Sequence, residues 1–249
     1  MSIVLNECEY VEKVLDGCVL GPKPTETLSR IARYYFSVGG AKKSDIHTEL
    51  ENFMLRCDPT INLVKWQDTL DRIIKGATKF PLIHIENVPI TDKEMAICDS
   101  LDGVQSRRLL FTLICLAKYS NLVNEKNGGW VNRQDKEIFK LANVVTSIKR
   151  QSLMLNDFRA AGLIRFSRKV DNVNINVLCL DNDGTAVLKI NDFRNLGYQY
   201  MRFHGGAYIE CEECGIVIKK RSNAQKYCHD CAADVNRQRT RNRLALENF

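Results

Sequence analysis

The chain has 249 residues, 45% hydrophobic and 27% charged, with ten cysteines and a formal net charge of +6. This balance predicts a folded protein of two or three packed units and excludes a low-complexity or extensively disordered chain. The longest strongly apolar stretch, 109–117, is far short of the roughly 20 residues that span a bilayer, so no membrane-spanning helix is expected.

Over the first eighty residues the apolar positions recur at helical spacing. Val11 with Val14 and Leu15 marks a first helix, and further helices are predicted over 25–38, 43–57 and 63–77. Lys23-Pro24-Thr25, Gly39-Gly40 and Asp58-Pro59-Thr60 punctuate them, giving a helical bundle within an expected scaffold domain, 1–103. Residues 80–89 read as a short strand. Thr91-Asp92-Lys93-Glu94 is a capping box that opens another helix. Leu28, Ile31, Ala32, Tyr35, the Gly-Gly turn, Ser44, Ile46, Leu50 and Phe53 resemble the small helical modules that accompany bacterial and phage primases. A plain helical scaffold is the alternative, and Lys42-Lys43 either meets phosphate or is a solvated surface.

A second domain is expected over 104–200. Its predicted order is a helix at 107–121, a short strand at 129–131, helices at 134–142 and 146–161, then strands at 164–170 and 173–180 joined by an Asp171-Asn172 hairpin turn. A further strand is predicted at 186–190, after the Asp-Asn-Asp-Gly turn. Phe158-Arg159-Ala160-Ala161-Gly162-Leu163-Ile164 resembles the end of the recognition helix in winged-helix proteins, and the resemblance covers about residues 106–190. The overall fold class is thus mainly α (α+β), with an N-terminal helical bundle, a winged helix bearing a β-hairpin wing, and a C-terminal finger. At about 100° per residue, Ile148, Met154, Leu155 and Phe158 fall on one side of the 146–161 helix. Lys149, Leu153, Asn156 and Ala160 fall opposite. Asn156 suits adenine and Lys149 phosphate or guanine, with Arg165, Arg168 and Lys169 placed for the DNA backbone. Gln151 on the packing side and Asp157 beside the outward side weigh against DNA, and winged helices also serve as protein-docking units.

The third domain is expected over 201–249. Cys211, Cys214, Cys228 and Cys231 form two CxxC pairs thirteen residues apart, the spacing of a closed four-thiolate structural zinc site. Four protein ligands leave no position for a catalytic water, and His229 inside the second pair is expected to face outward. The other six cysteines lie singly, which suits a reducing compartment and a cytoplasmic location. Between residues 216 and 243 eight basic residues stand against two acidic ones, so the positive excess is terminal. The knuckle, a hairpin containing residues 219–225 with Lys219, Lys220 and Arg221, and a helix starting at the second CxxC resemble treble-clef or zinc-ribbon fingers. Arg237, Arg239, Arg241 and Arg243 follow on a segment free of Pro and Gly, spread over several faces, which suits a sequence-independent grip on phosphate. A solvated helix end is the alternative.

No Walker loop, dinucleotide glycine fingerprint or Gly-x-Ser-x-Gly elbow is present, and no enzyme is expected. Phe111-Thr112-Leu113, Leu116-Ala117-Lys118-Tyr119, Trp130-Val131-Asn132, Gly162-Leu163-Ile164 and the Tyr227-Cys228 finger together resemble accessory proteins of phages and mobile elements in low-GC Gram-positive bacteria. The expectation is a DNA-binding accessory protein in replication or transcription control, its partner double-stranded DNA. A protein-interaction adaptor or phage inhibitor docking on a host machine, and an RNA binder, are the alternatives.

Overall fold

The computed structural model describes residues 3–168 and 174–247. The chain divides into two compact units, Met1–Glu86 and Asn87–Phe249.

In the first unit, helices α1 (Glu7–Gly17), α2 (Pro24–Ser37), α3 (Lys43–Cys57) and α4 (Gln67–Ala77) follow the predicted order, with a 3-10 turn over Leu63–Trp66 leading into α4. Asn6 caps α1 by accepting the Glu9 amide, and Pro24 opens α2, where its fixed φ fits and its missing N–H is no loss. Val11, Leu28, Ile31, Ile46, Leu50, Phe53, Leu70 and Ile74 form the core. The expected strand at 80–89 is realised differently. The chain before Glu86 returns along the start of α1, where the Ile83 amide donates to Glu7 Oε2 at 2.9 Å and Asn6 bridges His84. The same Glu7 carboxylate receives Arg30 at 3.1 Å and Arg33 at 2.7 Å, so a buried acid is neutralised by two guanidinium groups from α2.

The second unit starts with β1 (Val88–Thr91), which pairs antiparallel with β5 (Ala186–Ile190). Helix α5 (Asp92–Asp99) follows through the predicted capping box, with both reciprocal bonds present. This pairing is one reason the division between the two compact units falls after Glu86. Residues 87–103 are tied to later elements by the β1–β5 ladder and by Glu94, whose carboxylate meets Lys118 at 2.8 Å. The segment 201–249 belongs to the same compact unit as 104–200.

Helix α6 (Val104–Val123) runs through the centre, and every residue from Leu109 to Lys118 is buried. A helix apolar on all sides can only be satisfied by neighbours on all sides. These include β2 (Trp130–Val131), α7 (Asp135–Leu141) and α9 (Leu196–Phe203), the last stacking Tyr200 on Phe111 with ring centroids 5.4 Å apart. Helix α8 (Ile148–Ala160), capped by Ser147, leads through Gly162 at φ +72° into β3 (Ile164–Phe166). Strand β4 (Ile175–Val177) pairs with β3 and with β2, giving a three-stranded antiparallel sheet in the order β2-β4-β3. The predicted Asp171-Asn172 turn lies outside the described residues. Helix α9 was not predicted. A second hairpin, β6 (Tyr208–Glu210) and β7 (Val217–Lys219), then precedes α10 (His229–Glu247). Among the described residues no helix is long and apolar enough to cross a membrane.

Candidate metal centre and nucleic-acid interface

The β6–β7 hairpin builds the first half of the cysteine cluster. Cys211 follows the last residue of β6, and the chain reverses over Cys211–Gly215, where the Gly215 amide donates to the Cys211 carbonyl at 2.9 Å with Gly215 at φ +73°. A residue with a Cβ would resist that left-handed turn. The second half comes from the start of α10: Cys228 precedes its first residue and Cys231 lies in its first turn. The hairpin therefore lies over 208–219 and carries the knuckle at its tip. The expected hairpin at 219–225 is instead the end of β7 and the connection to α10, because the ladder pairs Tyr208 with Lys219.

All four sulfurs lie within 4.8 Å of one another, and Cys214 Sγ is 3.8 Å from Cys228 Sγ. A tetrahedral site with metal–sulfur bonds of about 2.3 Å separates its sulfurs by about 3.8 Å, so the cluster can hold a metal ion. Backbone amides reinforce it: the Cys228 N–H donates to Cys211 Sγ at 3.2 Å and the Cys231 N–H to Cys228 Sγ at 3.5 Å. Burial opposes ionisation of Cys211, but the amides aimed at its sulfur outweigh burial and hold the thiol down at about 6. Cys231 is pushed up by hydrogen bonding to Cys228, then by burial, and Cys214 is pushed up by burial. Four sulfurs this close cannot all carry charge alone, whereas a bound cation would stabilise all four thiolates. His229 is outside the cluster, its side chain 98% exposed.

The cysteine cluster is docked by residues that sequence reasoning missed. Arg194 donates to the Cys214 carbonyl at 2.5 Å, and Asn195 Nδ2 to the Val217 carbonyl at 2.9 Å. Asn195 also accepts from Asn143 Nδ2 at 2.9 Å, and Asn143 Oδ1 accepts the Tyr198 amide at 3.2 Å. Asn143 and Asn195 both have positive φ, at +54° and +52°. Asparagine tolerates that region better than most residues, which is the sequence signal that was available.

On α8 the buried side is Met154, Leu155 and Phe158, and Gln151 turns back to the Thr146 carbonyl. Lys149, Leu153, Asn156 and Ala160 are exposed, and Asp157 lies beside them. Ile148, the first helical residue, departs from the expectation: it is 82% exposed. Asn156 Nδ2 donates to the Ser152 carbonyl one turn back. Arg165 Nε donates to Asn176 at 2.9 Å and its guanidinium lies 5.7 Å from the Trp130 ring centroid, so it clamps the three-stranded sheet. Arg168 is exposed, and Lys169 lies outside the described residues.

In the C-terminal part Lys219 and Arg221 are exposed and Lys220 half-buried. On α10, Arg237, Arg239, Arg241 and Arg243 are all exposed, with Arg237 paired to Asp234. The candidate nucleic-acid residues thus fall into two sets, one on α8 and β3 and one on the finger and α10.

A scan against protein-family models, a search of curated proteins and a search of solved structures each return no match.

Proposed function

We propose that the protein is a non-enzymatic, cytoplasmic DNA-binding accessory protein of the phage or mobile-element type, acting in replication or transcription control. On this reading residues 104–200 are a winged helix and the four cysteines hold a structural zinc. The observation that carries it is the order helix, strand, helix, helix, strand, strand with sheet order β2-β4-β3, which leaves the α8 face of Lys149, Leu153 and Asn156 open to solvent. In that arrangement the second helix of the pair enters the major groove while the strand connection lies on the backbone. Asn156 and Lys149 contact base edges and phosphate; Arg165 and Arg168 flank them.

Zinc is the ion that closed four-thiolate sites favour, being content with tetrahedral sulfur ligands and having no redox chemistry of its own there. When bound it supplies a fixed cross-link between the β6–β7 tip and the first turn of α10. The residues around it orient that helix, and Lys219, Lys220, Arg221 and the α10 arginines meet phosphate.

A protein-docking reading draws on a specific observation: Val145, Ile148 and Leu153 are 93%, 82% and 46% exposed beside the same α8 face. Salt dependence separates the two. Binding to duplex DNA by the full, metal-loaded chain should weaken steeply and linearly on a log–log plot against salt, as counterions return to the phosphates. Retention of protein partners with no salt-dependent retention of DNA would favour the adaptor. Preference for structured RNA over duplex DNA would favour the RNA binder, since the A-form major groove does not admit a helix.

A further inference from the structure

Helix α10 has nineteen residues, and from His229 to Arg243 none is buried. Over His229 to Arg243 it presents no apolar stripe with which to pack, so that stretch is not a core helix. Its polar side chains are nevertheless ordered around the axis. At about 100° per residue, Arg237 and Arg241 share one flank and Arg239 and Arg243 share another. Between the flanks, about 100° from each, lies a third row made of Gln238 and Asn242, one turn apart. The opposite edge carries Ala233, Asn236 and Thr240, and the Thr240 hydroxyl is folded back onto the Asn236 carbonyl at 3.0 Å.

An amide row between two arginine rows matches the cross-section of a B-form major groove, whose floor displays base edges and whose two walls are phosphate strands. Glutamine and asparagine each present a donor and an acceptor together, the donor matching adenine N7 and the acceptor matching the adenine N6 amino group in a bidentate pair. Arginines on both walls reach opposite strands, which a helix with one basic face cannot do; Arg237 exchanges its exposed pair with Asp234 for phosphate in doing so. The four arginines span about 9 Å of axis, short enough to stay in the groove before helix and groove diverge.

We propose that α10 enters the major groove of duplex DNA, with Gln238 and Asn242 reading base edges at adenine-containing positions and the two arginine pairs holding opposite phosphate strands. This rests on the DNA-binding reading above and adds to it. The finger is then sequence-reading, where arginine spacing alone suggested a sequence-independent grip.

The test is selection from a randomised duplex pool, followed by affinity measurements, with the full zinc-loaded chain and three forms: wild type, Gln238→Ala with Asn242→Ala, and Arg239→Gln with Arg243→Gln. All substituted side chains are on exposed positions, and circular dichroism with bound-zinc content verifies that each variant is folded. The amide variant should lose adenine preference at part of the selected site and bind that site on the order of tenfold more weakly, while its affinity for unrelated duplex is unchanged. The arginine variant should weaken binding to every duplex and flatten the salt slope. If the amide variant selects the wild-type site with unchanged affinity, or loses affinity equally on all duplexes, α10 does not read bases and this inference falls while DNA binding stands. If wild type retains no duplex DNA at any salt, both readings fall.

Discussion

Asn143, in the turn between α7 and α8, donates from Nδ2 to Asn195 Oδ1 at 2.9 Å, and Asn195 passes the connection on to the Val217 carbonyl beside the cysteine knuckle. Two left-handed asparagines thus tie the start of α8 to the hairpin that carries half of the metal centre. Asn195→Ala removes the acceptor for Asn143 and the donor for Val217, and puts a Cβ-bearing residue with no compensating amide at φ +52°. The expected loss is about 2 kcal/mol in urea unfolding, since half-buried partners are left unsatisfied and strain is added. Amide exchange should also accelerate in β7 while α4 of the first unit is unaffected.

Gly197 sits in the first turn of α9, and a Cβ there would fall 1.9 Å from the Ala142 carbonyl oxygen. That oxygen is backbone and cannot swing aside. Gly197→Ala should therefore destabilise by about 1–3 kcal/mol, the range of overpacked sites, despite the better helix propensity of alanine. Gly76→Ala in α4 meets nothing within 4 Å and should stabilise by about 0.4–1 kcal/mol. Thermal melts of the two variants should move in opposite directions from wild type; a raised melting temperature for Gly197→Ala would refute the close approach.

Glu94 and Lys118 form a buried pair at 2.8 Å, with Glu94 also accepting the amides of Thr91 at 2.9 Å and Asp181 at 3.0 Å. Lys118→Met leaves that carboxylate buried without its counter-charge, and the expected cost is about 3–5 kcal/mol. Lys118→Met combined with Glu94→Gln should recover part of it, because a neutral amide is cheaper to bury. Denaturant midpoints of the single and double variants measure this; a double variant no more stable than the single would mean that packing, not charge, fixes this position.

The capping box at Thr91 was legible from four consecutive residues, and so were the helices of the first unit, because their boundaries follow local spacing and Pro or Gly punctuation. The Lys118 partner was not, since an ion pair across 24 positions leaves no periodic trace. Strand β5 was predicted in place, but its pairing with β1 depends on chain topology that no local rule encodes. The cysteine cluster was readable from spacing alone, because CxxC turns are local. Its docking through Arg194 and Asn195 was hidden in a segment whose only signal was an isolated asparagine, and α9 went unpredicted because eight residues rich in aromatics fit helix and strand alike.

Tyr200 in α9 donates its phenol proton to Asp99, and burial, followed by that hydrogen bond, pushes the phenol well above its usual value. A raised folded value means the stabilisation is complete below the unfolded phenol's pKa of about 10. It is lost as pH climbs above that point toward the folded value, because the unfolded chain gives up the proton first. Stability should fall there by up to about 1.4 kcal/mol per pH unit from this group, and Tyr200→Phe should make the alkaline decline shallower. Urea unfolding at pH 8, 10 and 11 checks the sign.

Metal removal should act on one class of cysteine. Burial pushes the Cys98 and Cys115 thiols far up, so both stay protonated and inert in the folded chain, and Cys179 is pushed up to about 11. On the zinc reading, the thiolates of Cys211, Cys214, Cys228 and Cys231 are shielded while they hold the ion, and the connection 220–228 between the two halves has no regular structure. A strong chelator should therefore open all four to alkylation within the time the ion takes to leave, with Cys98 and Cys115 unmodified until denaturant is added. Cys228→Ser should mimic chelation without chelator, because metal binding on the order of 10 kcal/mol is what folds units this small. Peptide mapping of the alkylated cysteines reads the outcome directly; full protection of the four after chelation, or equal labelling before and after it, would show that the cluster is closed by something other than a metal.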